Sequence, residues 1–550
     1  MKADTQAKPT KLDGQPGRDF DFDVVVIGAG FAGIYMLYRL RGMGLSARLY
    51  EAGDGVGGTW YWNRYPGAAC DVASLEYSYS FSEELQQEWK WSHRYAKQPE
   101  ILAYINHVTD RFDLRRDMQF KTRMTSTVFD EGKRRWQIAT DCGDRVSAQF
   151  CVMATGCLSA PKPIEYPGPE SFKGNVYHTA YWPHERVDFS GQRVGVVGTG
   201  SSGIQCIPLI AEEAAHLHVF QRTPNFSVPA RNCPMDPDYE RSIKANYAEL
   251  RRRERESDFG FMLVEPNTKS TFEVTPEERQ REYEYRWEAG GLSYYTSFVD
   301  LMVNREANET VAEFVRTKIR EKVRDPALAE LLCPKGYPFG AKRVCTDTNY
   351  YETFNRDNVT LVDLRKSPIK KFTAKGLQVG DTEYELDSVV FATGFDAMTG
   401  ALLNIDIRGR GGRLLKQKWA EGPRTYLGLM TEGFPNLFIT TGPGSPSVLY
   451  NMVLGNEQHV DWIANCIEHL RKQDRAAIEP AVEAEQAWGE HVNEVANQTL
   501  FPLADSWYLG ANVPGKPRVI LPYLGGFRAY SQKCNEVVSK GYEGFALTAR

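Results

Sequence analysis

Twice in this chain a short β-branched run empties into a G-x-G-x-x-G, and this repetition constrains the fold more than any other feature. The first copy runs from Asp21 to Ile27 into Gly28-Ala29-Gly30-Phe31-Ala32-Gly33. Helical spacing follows through Ile34, Leu37, Tyr38 and Leu40, then a second apolar run, Ala47 to Tyr50, ending in Glu51. The chemistry of such a unit is specific. The first glycine permits a tight turn, the second lets backbone approach a pyrophosphate, and the third lets helix and strand pack closely. The helix N-terminus then favours phosphate charge, and an acid about 20 residues on can take a ribose hydroxyl pair. A lone glycine motif is weak evidence, but strand, loop, helix, strand and acid in register describe a dinucleotide-binding unit.

The second copy is Val194 to Val197 followed by Gly198-Thr199-Gly200-Ser201-Ser202-Gly203, with helical spacing at Ile204, Ile207 and Ile210 and a strand at 217–221. Here the acid position reads Gln221-Arg222-Thr223. An arginine there removes the group that would repel a 2′-phosphate and can pair with it, so this unit is expected to prefer NADPH over NADH. Gly57-Gly58 after Glu51, with Trp60, Trp62 and Tyr65 close behind, points to a flavin at the first unit, and Tyr77 is a further candidate on that side. The fold expected is α/β, with two Rossmann-like domains for FAD and NADP and a helical insertion. Residues 77–120 are expected to be mostly helical, 120–150 to form strands with a turn at Glu131-Gly132, and 150–156 to be a buried strand ending in Ala154-Thr155-Gly156.

Other classes are set aside by what the chain lacks. A net charge of -5 leaves no basic footprint for nucleic acid. No run reaches the roughly 18–20 apolar residues of a membrane span, and the polar start, with Lys2, Lys8, Lys11 and Arg18, lacks the apolar core of a secretory signal. Ten cysteines without C-x-x-C pairs fit a reduced cytoplasmic protein with no metal site. They also disfavour a disulfide reductase. Arg251-Arg252-Arg253 sit among glutamates and read as a solvated helix face.

Between the two loops lies Phe172-Lys173-Gly174-Asn175-Val176-Tyr177-His178-Thr179-Ala180-Tyr181-Trp182-Pro183. Phe172, Gly174, His178, Trp182 and Pro183 satisfy F-x-G-x-x-x-H-x-x-x-W-P, which resembles the fingerprint of type I Baeyer–Villiger monooxygenases, a branch of the class B flavoprotein monooxygenases. Asn63-Arg64-Tyr65-Pro66-Gly67, Gly340-Ala341-Lys342-Arg343, Phe391-Ala392-Thr393-Gly394-Phe395-Asp396 and Gly442-Pro443-Gly444-Ser445-Pro446 are similar to family segments too. The resemblance runs from about residue 20 to the C-terminus and is nearest to the phenylacetone and steroid branches.

The resemblance implies oxidation of an aryl-aliphatic, cyclic or steroid ketone to an ester or lactone with NADPH and O2, through a C4a-peroxyflavin. It makes Arg343 the cation beside the peroxide and Asp71 the acid that positions it. Lys342 joins Arg222 on the 2′-phosphate, and Trp507 belongs to a loop ordering over the nicotinamide. Cys157, Leu158, Ser447, Val448, Leu449, Tyr450 and Met452 line the ketone pocket, with Cys157 and Tyr450 departing from the phenylacetone branch. His178 couples NADPH binding to domain rotation. The expected division is a tail at 1–19, an FAD domain at 20–159 and 395–550, an NADP domain at 160–228 and 339–394, and a helical insertion at 229–338. A monomer or weak oligomer is expected. Two alternatives stay open: a flavin monooxygenase acting mainly on sulfides or amines, against which Trp182-Pro183 argues, and an NADPH oxidase or reductase without an organic oxygen acceptor.

Overall fold

The computed structural model describes residues 20–550, and the tail expected at residues 1–19 lies outside them. Two sheets organise the chain, the first mixed and the second all parallel. The first contains β1 (Phe22–Ile27), β2 (Ala47–Tyr50), β3 (Met118–Gln119), β4 (Met124–Asp130), β5 (Arg135–Thr140) and β6 (Arg145–Met153), with antiparallel β4–β5 and β5–β6 pairs beside its parallel ones. The second uses β7 (Asn175–His178), β8 (Arg193–Val197) and β9 (His216–Gln221), all present before the chain enters a helical stretch. A short parallel pair, β10 (Ser227–Pro229) and β11 (Cys345–Asp347), closes that stretch. Next come β12 (Val359–Asp363), a small antiparallel sheet of β13 (Ile369–Thr373), β14 (Gly376–Val379) and β15 (Thr382–Glu385), and β16 (Ser388–Phe391). Finally β17 (Asp406–Arg408) and β18 (Leu437–Ile439) return to the first sheet.

Strand β1 is central: it pairs in parallel with β2 on one side and β6 on the other. That placement explains its run of valines, because a strand covered on both faces has no polar side to alternate. Strand β8 has the same position in the second sheet, between β9 and β16, in the order β12-β9-β8-β16-β7. Both glycine loops therefore leave the carboxyl end of a central parallel strand, where α/β folds place their ligands.

Two expectations change. Residues 77–120 carry only two α-helices, Glu83–Glu88 and Gln98–Arg111. Between them an extended stretch turns Trp91 and Tyr95 inward; before both helices Tyr79 meets Phe31 edge-on and Phe81 stacks on Tyr35 of helix Phe31–Gly42. Aromatic packing onto a neighbouring helix thus replaces local helical periodicity. The helical stretch also feeds two cores. Helix Tyr247–Glu256 packs on the first half through Tyr247, whereas Tyr283, Trp287, Phe314 and Ile319 pack on the second. Arg251, expected at a solvated face, is 4% exposed. It donates to the Leu75, Glu76 and Ser78 carbonyls and pairs with Glu254 at 2.8 Å. Arg252 and Arg253 stay outside, paired with Glu249, Glu256 and Glu265. Among the described residues no helix is long and apolar enough to cross a membrane.

Candidate active site

Both glycine loops have the same build. A Cβ on Gly33 would lie 1.9 Å from the Gly28 carbonyl oxygen, and one on Gly203 would lie 2.2 Å from that of Gly198. Gly28 and Gly198 hold φ of +105° and +111°, each beneath the carbonyl of the next strand's alanine, Ala154 or Ala392. Helices Phe31–Gly42 and Ser201–Glu213 start at Gly30 and Gly200 with no side-chain cap and no acid in the first turn. By contrast, Ser82, Asp236, Thr275, Asn304, Asp325 and Asn451 cap other helices. Two uncapped helix starts above glycine cradles offer amide groups to phosphate, so the residues present fit two dinucleotides.

The two units diverge after their second strand. Glu51 is buried, accepting from the Ala29 amide at 2.8 Å and the Gly53 amide at 2.7 Å. Burial pushes its carboxyl up and these amides oppose the shift. Gln221 is buried too but uses its amide on the Leu331 carbonyl, and Arg222 beside it is exposed. Thr199 donates to the Thr223 carbonyl at 3.1 Å, tying loop to strand end. Ser201 contacts Cys345 at 3.3 Å, and Ser202 reaches the Tyr65 hydroxyl. Lys342 lies over the Tyr337 ring at 4.7 Å. Burial and then the charge of Arg222 push its ammonium pKa down. Lys162, which carries no expectation from its sequence, is pushed down by burial; Glu165 opposes the shift and Arg222 adds to it. No ion pair to Arg222, Lys342 or Lys162 occurs among the described residues, leaving three cations free for an anion. In sequence, Lys162 sits in an ordinary Pro-Lys-Pro and carries no signal.

The aromatic cluster expected at one pocket splits. Trp60 stays with the first core and donates to the Tyr77 hydroxyl at 3.2 Å. Tyr65 crosses to the second core, donating to Gln205 at 2.8 Å. Trp62 meets the Tyr181 ring edge-on at 5.8 Å. Gly58 backs onto Gly30. The segment 59–71 is therefore a seam between the halves. The fingerprint lies on the other side of it. Strand β7 pairs with β16, His178 opposite Phe391. Phe172 packs on Phe372, Gly174 passes beneath the Asp387 carbonyl, and Trp182 is buried against Tyr177 and Phe189. His178 Nδ1 accepts from the Ala180 amide at 3.1 Å, and burial pushes its pKa down.

Across the seam Asp71 meets Arg343, with Nη2 donating to Oδ2 at 3.1 Å. Arg343 Nη1 donates to the Val448 carbonyl at 3.2 Å. Burial works against the guanidinium charge, but Asp71, Tyr508 and Tyr295 outweigh it and raise its pKa. Beside this pair Cys157, Leu158, Val448, Leu449, Met452 and Trp507 pack in one apolar cluster with Met398 and Tyr508. Ser447, at φ +47°, donates to the Thr441 carbonyl below that wall. Tyr450 sits in a smaller cluster, its ring on Leu454, Phe527 and Gly455, and its buried hydroxyl has no hydrogen-bond partner among the described residues. The Trp507 segment is tied down by Lys516, which reaches Asp396 at 2.5 Å, and by Asn512 on the Phe395 carbonyl at 2.8 Å.

Residues 25–279 match the family model of the pyridine nucleotide-disulphide oxidoreductases. The chain is 45% identical to an acetone monooxygenase (methyl acetate-forming) of Gordonia sp., over 96% of this chain and 99% of that protein. It is 43% identical to a Baeyer–Villiger monooxygenase of Pseudooceanicola batsensis, over 95% of each. A solved structure of an oxidized steroid monooxygenase bound to NADP superposes with a TM-score of 0.92 at 54% identity, over 96% of this chain and all of that one.

Proposed function

The chain belongs to the Baeyer–Villiger monooxygenases, and from that premise we propose that it inserts one oxygen atom of O2 between the carbonyl and α-carbon of a ketone. NADPH and a proton are consumed, and the products are an ester or lactone, NADP+ and water. The observation that carries the reading is the half-buried Asp71–Arg343 pair, held where the two nucleotide units meet and beside an apolar pocket.

The Gly28-to-Gly33 loop and Glu51 would hold FAD, and the Gly198-to-Gly203 loop with Arg222, Thr223 and Lys342 would hold NADPH. The flavin there would supply the activated oxygen, and the chain's own groups do the rest. Arg343 offers a fixed positive charge where negative charge must be stabilised, a role for which guanidinium suits because it stays ionised when buried. Asp71 and the Val448 carbonyl fix its orientation. The wall of Cys157, Leu158, Val448, Leu449 and Met452 excludes water and receives the apolar body of the ketone. Trp507 closes that space. Product analysis tests this: the yellow holoenzyme with NADPH and air is given phenylacetone, cyclohexanone, a steroid 20-ketone and an aryl sulfide separately. Ester or lactone from any ketone is the expected result. Sulfoxide alone, or hydrogen peroxide equal to the NADPH consumed for every substrate, would overturn it.

A further inference from the structure

Asp71 has a second partner. While Oδ2 accepts from Arg343, Oδ1 accepts from the Thr346 hydroxyl at 2.7 Å. Thr346 is the middle residue of β11, 7% exposed, and Arg343 lies two residues before that strand. One short piece of chain thus grips both oxygens of one carboxylate, with a cation on one and a neutral hydroxyl on the other. The Asp71 side chain is 11% exposed, so little solvent competes for either oxygen.

Arginine and a carboxylate left to themselves favour a two-point fork, the strongest geometry open to them. Here the pair meets at one point, and the second terminal nitrogen of Arg343 reaches the Val448 carbonyl instead. We propose that Thr346 is a positioning residue: by occupying Asp71 Oδ1 it keeps Asp71 from drawing in both ends of the guanidinium. Arg343 thereby stays strung between Asp71 and the pocket loop. This rests on the functional reading given to Arg343.

The test is Thr346→Val, which keeps the shape and removes the hydroxyl, with Thr346→Ser as the conservative rescue. A crystal structure of the valine variant is expected to show both Asp71 oxygens on Arg343, whose Nη1 has turned away from the Val448 carbonyl. In the holoenzyme the ratio of ester to hydrogen peroxide is expected to fall about fivefold, the effect of one hydrogen bond, while the rate of flavin reduction by NADPH is unchanged. Serine restores the ratio. In an Asp71→Ala background, removing the hydroxyl adds nothing, because both changes act through the same Asp71–Thr346 hydrogen bond. A valine variant that keeps the one-point pairing and the wild-type ratio would overturn the proposal, as would a serine variant as impaired as valine. If valine fails to fold, Thr346→Ala carries the same comparisons. Wild-type enzyme making no ester in this assay would count against the functional reading, and the crystal structure would still decide the role of Thr346.

Discussion

The two nucleotide units are nearly the same object built twice, and the place where they differ shows what each part of the motif does. Strand, glycine loop, uncapped helix and the following Ala-Thr-Gly strand end all recur with matching backbone geometry. The difference that bears on the ligand lies at the end of the second strand. In the first unit a buried Glu51 turns back onto its own loop. In the second, Gln221 turns away and an exposed Arg222 stands with Lys342 and Lys162. On the proposed reading, the cradle is a generic phosphate holder and the strand end chooses the nucleotide.

The largest expected effect comes from making the same change in both copies. Gly33→Ala should give colourless protein without FAD, and Gly203→Ala should give yellow protein that NADPH no longer reduces. Each added methyl meets backbone oxygen at 1.9 or 2.2 Å, and such overpacking costs about 1–3 kcal/mol or more. Absorbance of the purified proteins and stopped-flow reduction would check this; equal flavin loss in both would break the division of labour. Next is Arg343→Ala, expected to lower ester formation at least about 100-fold while flavin reduction persists, measured by product yield beside single-turnover reduction. Third, Arg222→Ala should raise the NADPH KM by about tenfold or more and leave that for NADH nearly unmoved. An unchanged preference would remove Arg222 as the phosphate reader.

The smallest effect lies at the seam. Glu76 is buried beside Asp71 around a cavity of about 50 Å³ and accepts from the Met262 and Leu263 amides. Burial, with Glu254 nearby, raises its pKa from 4.5 to about 7. A raised carboxyl pKa contributes stability that is whole below pH 4.5 and fades as pH rises through about 7. Above that the charge costs roughly 3 kcal/mol. Glu76→Gln, which can still accept from both amides, should raise Tm by roughly 2–3 °C at pH 8, with the gain vanishing towards pH 4.5.

Much of the fold was legible because its signals are local. Glycine spacing, β-branched runs and the residue ending each second strand all lie within about 30 residues of one another, so β1, β2, β8 and β9 fall where the pattern puts them. What escaped depends on packing across long separations. Tyr65 leaves its aromatic neighbours for Gln205, 140 residues on. Arg251 reads like Arg252 and Arg253, yet it shares the inward helix face with Glu254, and that carboxylate together with the carbonyls of Leu75, Glu76 and Ser78 makes its burial possible. The ring of Tyr450 lies against Gly455, where any side chain would clash with it. Thr346 has no local pattern, since its partner is 275 residues earlier.

The most direct single test of ketone oxygenation by two cooperating nucleotide units is turnover of a ketone with NADPH under 18O2. An ester or lactone carrying one 18O atom, with one NADPH consumed for each molecule formed, is the predicted result. Unlabelled ester, or NADPH consumption matched wholly by labelled hydrogen peroxide across the ketone panel, would contradict it.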